Sequence, residues 1–63
     1  MLIKKFRQAL DLTQEELAKK IGVTQAAVAM WETGEAKPST NNVIELAKVL
    51  GVTTDELLGV RKE

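Results

Sequence analysis

An all-α fold of five short helices is predicted by three features of this 63-residue chain. Apolar residues recur three and four positions apart, which is the spacing of one face of a helix. The sequence T-x-x-E, a capping box that starts helices, occurs at Thr13–Glu16 and again at Thr53–Glu56. Glycines or a proline separate the apolar segments, and no segment alternates in the way that a strand does.

The first helix is predicted over residues 2–10. Asp11, a poor helix former, marks its end, and Leu12 is expected to pack into the core as the chain turns. The apolar stripe of this helix is expected to face the core. It consists of Leu2, Ile3, Phe6 and Leu10.

The next two helices are predicted over residues 14–21 and 25–33, with a turn of three residues between them. Thr13 and Thr24 supply capping oxygens, while Gly22 and Gly34 can adopt the left-handed conformation that ends a helix. On a helical wheel of the later helix, one side is expected to face the core and the opposite side to face solvent or a ligand. The inward side holds Val28, Trp31 and Glu32, and the outward side holds Ala26, Ala29, Met30 and Thr33.

A fourth helix is predicted over residues 40–50 and a fifth over residues 54–58. Ser39, directly after Pro38, caps the fourth helix, and Thr53 caps the fifth. A chain of this size can build one small core, so residues 1–60 are expected to form one domain, with residues 61–63 as a tail.

The composition argues against several classes of protein. Without cysteine or histidine there are no disulfides, no thiolate or imidazole metal ligands and no histidine for proton transfer, so neither an enzyme nor a cofactor is expected. The sequence has no apolar run of about 20 residues and no secretory signal, so no membrane segment is expected and the cytoplasm is the default location.

The formal net charge is zero, with nine Lys or Arg and nine Asp or Glu. Residues 1–20 carry a local charge of +2, and residues 21–38 and 39–63 carry −1 each. Proteins that bind nucleic acid usually have a basic surplus, because neutralising phosphates releases counterions. Any basic surface on this chain is therefore expected to be small.

The segment from Thr13 to Gly34 reads TQEELAKKIGVTQAAVAMWETG, and LAKVLGVTTDELL follows from Leu46 to Leu58. With Ile3, Phe6 and Arg7 before them and Pro38–Ser39 between them, these segments resemble the phage-repressor and Cro-like helix-turn-helix family, or XRE family, over nearly the whole chain. The resemblance implies a compact five-helix lambda-repressor-like domain. It also implies a repressor-like transcriptional regulator that binds double-stranded DNA as a homodimer, with no cofactor and no small-molecule substrate.

The resemblance implies two sets of DNA contacts. The helix over residues 25–33 would lie in the major groove, where glutamine can pair with adenine and alanine can touch a thymine methyl group. The residues over base edges would be Gln25, Ala26, Ala29 and Met30, and those at phosphates would be Gln14, Thr24, Lys37 and Asn41. Gln14 could also brace Gln25. Two residues depart from the family pattern: Met30 replaces a more usual polar or basic residue, and Glu35 occupies a loop position that is often basic.

Arg7 and Glu32 match a family pair that forms a partly buried, structural ion pair between the first and third helices. The dimer interface is expected at an exposed apolar end containing Leu57, Leu58 and Val60. Two alternatives stay open on the same fold. A protein-interaction module is suggested by the zero net charge and the apolar outward face, and an idealised sequence is suggested by the alanine-rich faces and clean caps.

Overall fold

Five α-helices joined by short turns make up residues 1–60, the part of the chain that the computed structural model describes. They are α1 (Ile3–Ala9), α2 (Gln14–Ile21), α3 (Gln25–Thr33), α4 (Thr40–Leu50) and α5 (Thr54–Leu58). No strand occurs within these 60 residues, so the predicted all-α fold is confirmed. The predicted tail, residues 61–63, lies outside the described residues.

Capping boxes begin α2 and α5, as the sequence predicts. The Thr13 Oγ1 atom accepts a hydrogen bond from the Glu16 amide at 3.0 Å, and the Glu16 carboxylate accepts one from the Thr13 amide at 2.9 Å. Thr53 and Glu56 repeat the same reciprocal pair at 3.0 and 2.9 Å. Each box satisfies two amides that have no partner inside the helix, so both helices begin at residues fixed by the sequence.

The end of α1 differs from the prediction. Asp11 adopts a positive φ of 56°, a conformation that Asp tolerates better than most residues, and the chain turns away after Ala9. Leu10 is therefore left at the helix cap with 49% of its surface exposed, and Leu2, which precedes the helix, is 38% exposed. The expectation that both leucines face the core was wrong, whereas Leu12 is half-buried in the following turn.

The core draws residues from every helix. Its nine buried apolar residues are Ile3, Leu17, Ala18, Val28, Trp31, Leu46, Ala47, Leu50 and Leu57. Both α1 and α2 contact α3 and α4, and α5 contacts α4. Leu57 is completely buried, so its predicted place in an exposed dimer patch was wrong. Its side chain completes the core, and its carbonyl accepts a 2.8 Å hydrogen bond from the Leu2 amide, which ties the N-terminus to α5.

A buried ion pair connects α1 to α3. The Arg7 Nε atom donates to Glu32 Oε2 at 2.7 Å, and Arg7 Nη2 donates to Glu32 Oε1 at 3.0 Å. The remaining terminal nitrogen, Nη1, donates to the Leu12 carbonyl at 2.8 Å. The two side chains are 10% and 4% exposed, and no buried side-chain nitrogen or oxygen in residues 1–60 lacks a partner. The pair therefore joins α1, α3 and the turn before α2 with its hydrogen bonds satisfied.

The ion pair shifts the pKa values of both Arg7 and Glu32. Burial alone would raise the pKa of Glu32, but hydrogen bonds from Arg7 and Gln14, and the charges of Arg7 and Lys4, outweigh it and lower that pKa. The hydrogen bond to Glu32 raises the pKa of Arg7. Both side chains are therefore held in their charged forms at neutral pH.

We predict that Glu32→Gln lowers the free energy of unfolding by about 3 kcal/mol at pH 7, because it leaves the buried guanidinium without a counter-ion. The folded-state pKa of Glu32 is lowered, so its contribution is present above the unfolded value of about 4.3 and is lost as pH falls through the folded pKa. The stability difference between the wild type and the variant should therefore hold near neutral pH and shrink in acid. Urea unfolding followed by Trp31 fluorescence measures it.

Glu16 also has a lowered pKa, because it accepts a hydrogen bond from the Thr13 backbone amide. This group is present in both proteins, so its titration cancels in the difference. A stability difference that stayed constant from pH 7 to pH 2 would contradict the assignment of this acid sensitivity to Glu32.

Candidate nucleic-acid interface

The chain reverses direction sharply between α2 and α3. Gly22 ends α2 with a φ of 76°, a conformation that costs glycine little because it has no Cβ. The amide of Val23, which is half-buried, donates to the Ala18 carbonyl at 3.0 Å. Thr24 then caps α3 by accepting the Ala27 amide at 3.1 Å. Three residues thus suffice to pack α2 against α3 while leaving one side of α3 uncovered.

The uncovered side of α3 begins at its first turn. Gln25 and Ala26 are exposed, and Met30, one turn later, is 39% exposed. We call these three residues the reading surface. The opposite side is buried, with Val28 fully enclosed and Trp31 8% exposed.

Ala29 lies less far outward than the helical wheel predicts. It is half-buried, as is Ala27, because each stands about 100° around the helix from the fully buried Val28. Ala29 therefore borders the reading surface. Ala29 is thus less exposed than Ala26 and Met30, and its contact with DNA stays a prediction.

The side chain of Gln14, the first residue of α2, is fixed by a hydrogen bond to a buried carboxylate. Its Nε2 atom donates to Glu32 Oε1 at 3.1 Å, so the carboxylate of Glu32 accepts hydrogen bonds from Arg7 and from Gln14. This contact uses one N–H of the Gln14 amide, and the brace from Gln14 to Gln25 stays a prediction. Sequence reasoning missed the contact with Glu32, since the two residues lie 18 positions apart on different helices.

The other predicted phosphate contacts lie on separate elements. Thr24, at the start of α3, is exposed and keeps its hydroxyl proton for donation while its oxygen caps the helix. Lys37 is exposed in the loop before α4, and Asn41 is exposed in the first turn of α4. Glu35 lies in the same loop as Lys37 and opposes its charge. The structure therefore offers exposed donors at these positions but little concentrated positive charge.

Neighbouring carboxylates also reduce the positive potential of two lysines on the helix surfaces. Lys19 lies 3.5 Å from Glu15 in α2, and Lys48 lies 3.8 Å from Glu45 in α4, both at exposed sites. Such exposed pairs contribute little stability, but they reduce the positive potential around each lysine. On the reading surface itself there is no charged residue at all.

Residues 1–60 contain neither a membrane-spanning helix nor a cluster of side chains that could hold a metal ion. None of the helices there is long and apolar enough to cross a membrane. In the same residues, no group of three or more Asp, Glu, His or Cys side chains is placed to hold a metal ion.

Several known proteins are similar to this chain in sequence. The transcriptional activator BcrR of Enterococcus faecalis is 36% identical over 56 residues, which cover 89% of this chain and 28% of the activator. The transcriptional repressor RstR of the cryptic phage CTXphi, in Vibrio cholerae, is 34% identical over 53 residues, covering 84% of this chain and 47% of the repressor. The chain thus spans less than half the length of either relative.

A crystal structure of the P22 c2 repressor in complex with a synthetic operator has the same fold, with a TM-score of 0.84 and 34% identity. The match covers 87% of this chain and 83% of the P22 chain. Residues 3–57 match the helix-turn-helix family as a whole. The chain therefore belongs to the helix-turn-helix family of the phage-repressor and Cro-like, or XRE, type.

Proposed function

We propose that this chain is a sequence-specific, repressor-like regulator of transcription that binds double-stranded DNA without catalysing a reaction. The observation that carries the proposal is the uncovered side of α3, presented by a three-residue turn from α2. The proposal is supported by the 34% identical P22 c2 repressor, whose structure was determined with operator DNA. The protein would act in the cytoplasm.

In the proposed complex α3 lies in the major groove with its N-terminal turn nearest the bases. Gln25 can then pair with the N6 and N7 atoms of an adenine, and Ala26, Met30 and, at the border, Ala29 can contact base edges. Gln14, Thr24, Lys37 and Asn41 would bind phosphates and so fix the position of α3 along the duplex. Because Glu32 holds one N–H of Gln14, the second N–H of that amide is left to donate outward.

The chain would bind DNA as a homodimer that reads two half-sites about one helical turn apart. A dimer needs an exposed apolar patch, and one lies where the N-terminus meets α5. Its residues are Met1, Leu2, Leu58 and Val60, each between 38% and 56% exposed. Leu2 lies close to Gly59, so the residues before α1 and those at the end of α5 form one continuous surface.

A protein-interaction module is the second candidate function. It is favoured by the zero net charge and by the charge-free reading surface, which resembles a surface for another protein as much as one for DNA. The dependence of duplex binding on salt separates the two candidates.

We predict that DNA affinity falls as salt rises, with a slope of log K against log salt near −0.9 for each phosphate that a cation neutralises. Lys37→Met should therefore make the slope shallower by about 0.9 per subunit. Lys48→Met, which removes an exposed charge already paired with Glu45, should leave the slope unchanged. Fluorescence anisotropy across a salt series measures both. If no duplex were bound even in low salt, the DNA-binding proposal would fail and the interaction module would be favoured.

We predict that Gln25→Ala weakens binding to the cognate site by about 1 to 3 kcal/mol and changes binding to random DNA much less, because it removes a contact to a base edge. Gln8→Ala, at an exposed position of α1, is the matched control and should change neither affinity. Equal losses on cognate and random duplexes for the Gln25 variant would show that this side chain does not read sequence.

We predict that Leu58→Lys abolishes cooperative binding to a two-half-site operator while leaving binding to a single half-site intact, because it places a charge in the apolar patch. Leu10→Lys changes a leucine of similar exposure, 49% against 46%, at the C-terminal end of α1 and should preserve cooperativity. Gel-shift titrations on both duplexes provide the measurement. Retained cooperativity in the Leu58 variant would place the dimer interface elsewhere.

A further inference from the structure

All the sulfur of this chain is in two exposed methionine side chains. The sequence has no cysteine, and its two methionines, Met1 and Met30, are 45% and 39% exposed. Methionine often fills gaps in an apolar core, but neither residue belongs to the buried core of this domain. Met30 is part of the reading surface, so in the proposed complex its thioether lies where DNA would cover it.

We propose that Met30 is an oxidation site through which peroxide controls DNA binding. Conversion of its thioether to the sulfoxide weakens the complex with operator DNA, and reduction of the sulfoxide restores it. This inference rests on the proposed DNA-binding function and adds to it a chemical modification that regulates the same surface.

The modification transfers one oxygen atom from hydrogen peroxide to the sulfur of Met30. A sulfur lone pair attacks one peroxide oxygen, and the S–O bond forms as the O–O bond breaks. The hydroxide that leaves takes up the proton of the transferred oxygen and becomes water. Sulfur is thereby oxidised by two electrons and the peroxide is reduced, so the step needs no other reactant.

The helix around Met30 offers the new sulfoxide oxygen no free side-chain donor. Side chains three and four positions away are its neighbours on the helix surface. Ala26 and Ala27, on the preceding turn, end in methyl groups. Thr33 already donates its hydroxyl proton to the Met30 carbonyl at 3.2 Å, and Gly34 has no side chain. The oxygen would therefore be hydrated in the free protein and would lose that water when α3 enters a groove.

Oxidation should change binding without changing the fold. The Met30 carbonyl accepts hydrogen bonds from the Thr33 hydroxyl and, at 3.3 Å, from the Ala36 amide, so the backbone is fixed independently of the sulfur. Trp31, an oxidisable neighbour, is only 8% exposed and is shielded by the core. The urea midpoint of the oxidised protein should consequently stay close to that of the reduced protein.

The test compares untreated and peroxide-treated protein on an operator half-site obtained by binding-site selection from random duplex DNA. A single half-site is used because Met1 lies in the proposed dimer patch. Peptide mass spectrometry measures the oxidised fraction of each methionine, and fluorescence anisotropy measures affinity. Oxidation of Met30 should weaken half-site binding about tenfold, because a polar group is buried without a fixed partner. Binding to random duplex should change much less, and methionine sulfoxide reductases of both stereospecificities should restore the affinity.

Variants assign the effect to one sulfur atom. Met30→Leu keeps an apolar side chain of similar volume, so it should bind the half-site before treatment and lose no affinity in peroxide. It retains Met1 and Trp31, so it reports any loss caused by oxidation elsewhere. Adding Ile44→Met to this variant restores a thioether at a site of similar exposure, 41% against 39%, but on α4, and should not restore the sensitivity.

DNA should in turn protect the sulfur that it covers. Saturating half-site duplex should slow the oxidation of Met30 and leave the rate at Met1 unchanged. Equal oxidation rates of Met30 with and without bound duplex would contradict its place in the interface.

Two further results would overturn the inference: unchanged half-site affinity when Met30 is fully oxidised, or an equal loss in the Met30→Leu variant. Either result, with tight binding by the untreated protein, refutes control through Met30 and leaves the DNA-binding proposal standing. If the untreated protein binds no duplex, the proposed function fails and the inference fails with it.

Discussion

The carboxylate of Glu32 is the group around which this small domain is arranged. Arg7 donates two hydrogen bonds to it from α1, and Gln14 donates a third from the start of α2. A charge buried in so small a protein is tolerated because it is paired and its hydrogen bonds are satisfied. Such a pair adds little net stability compared with an apolar replacement, but a misplaced helix would leave the charge unpaired. The interaction therefore favours one relative placement of α1, α2 and α3.

That placement decides which side of α3 is available for binding. Glu32 lies on the same side of the helix as Val28 and Trp31, and the three together turn that side inward. Gln25, Ala26 and Met30 are left outside as a consequence. The hydrogen bond from Gln14 to Glu32 also fixes the start of α2. One buried carboxylate therefore positions both Gln14, which is proposed to bind a phosphate, and α3, which is proposed to contact bases.

Local features of the structure could be predicted from the sequence, whereas features that depend on tertiary packing could not. The capping boxes at Thr13 and Thr53 follow from residues three positions apart, so the sequence alone contains them. Leu57 and Leu58 are different, because a five-residue helix has too few turns for periodicity to show which leucine faces inward. The contact of Gln14 with Glu32 depends on how two helices meet. Family resemblance supplied the partners Arg7 and Glu32, which helical periodicity alone would have left unassigned.

The modest charge of the domain has a consequence for how it would find its site. Specificity is the ratio between cognate and random binding, and phosphate contacts raise both terms together. A neutral protein with a charge-free reading surface gains little affinity for random DNA, so base contacts would supply a larger share of its binding free energy at the cognate site. The cost is weak binding by one subunit. Joining two subunits through Leu58 and Val60 would offset that cost, because the second half-site is then bound at a high effective concentration. Dimerisation through the apolar patch at α5 would therefore compensate for the few base and phosphate contacts that one subunit can make through α3.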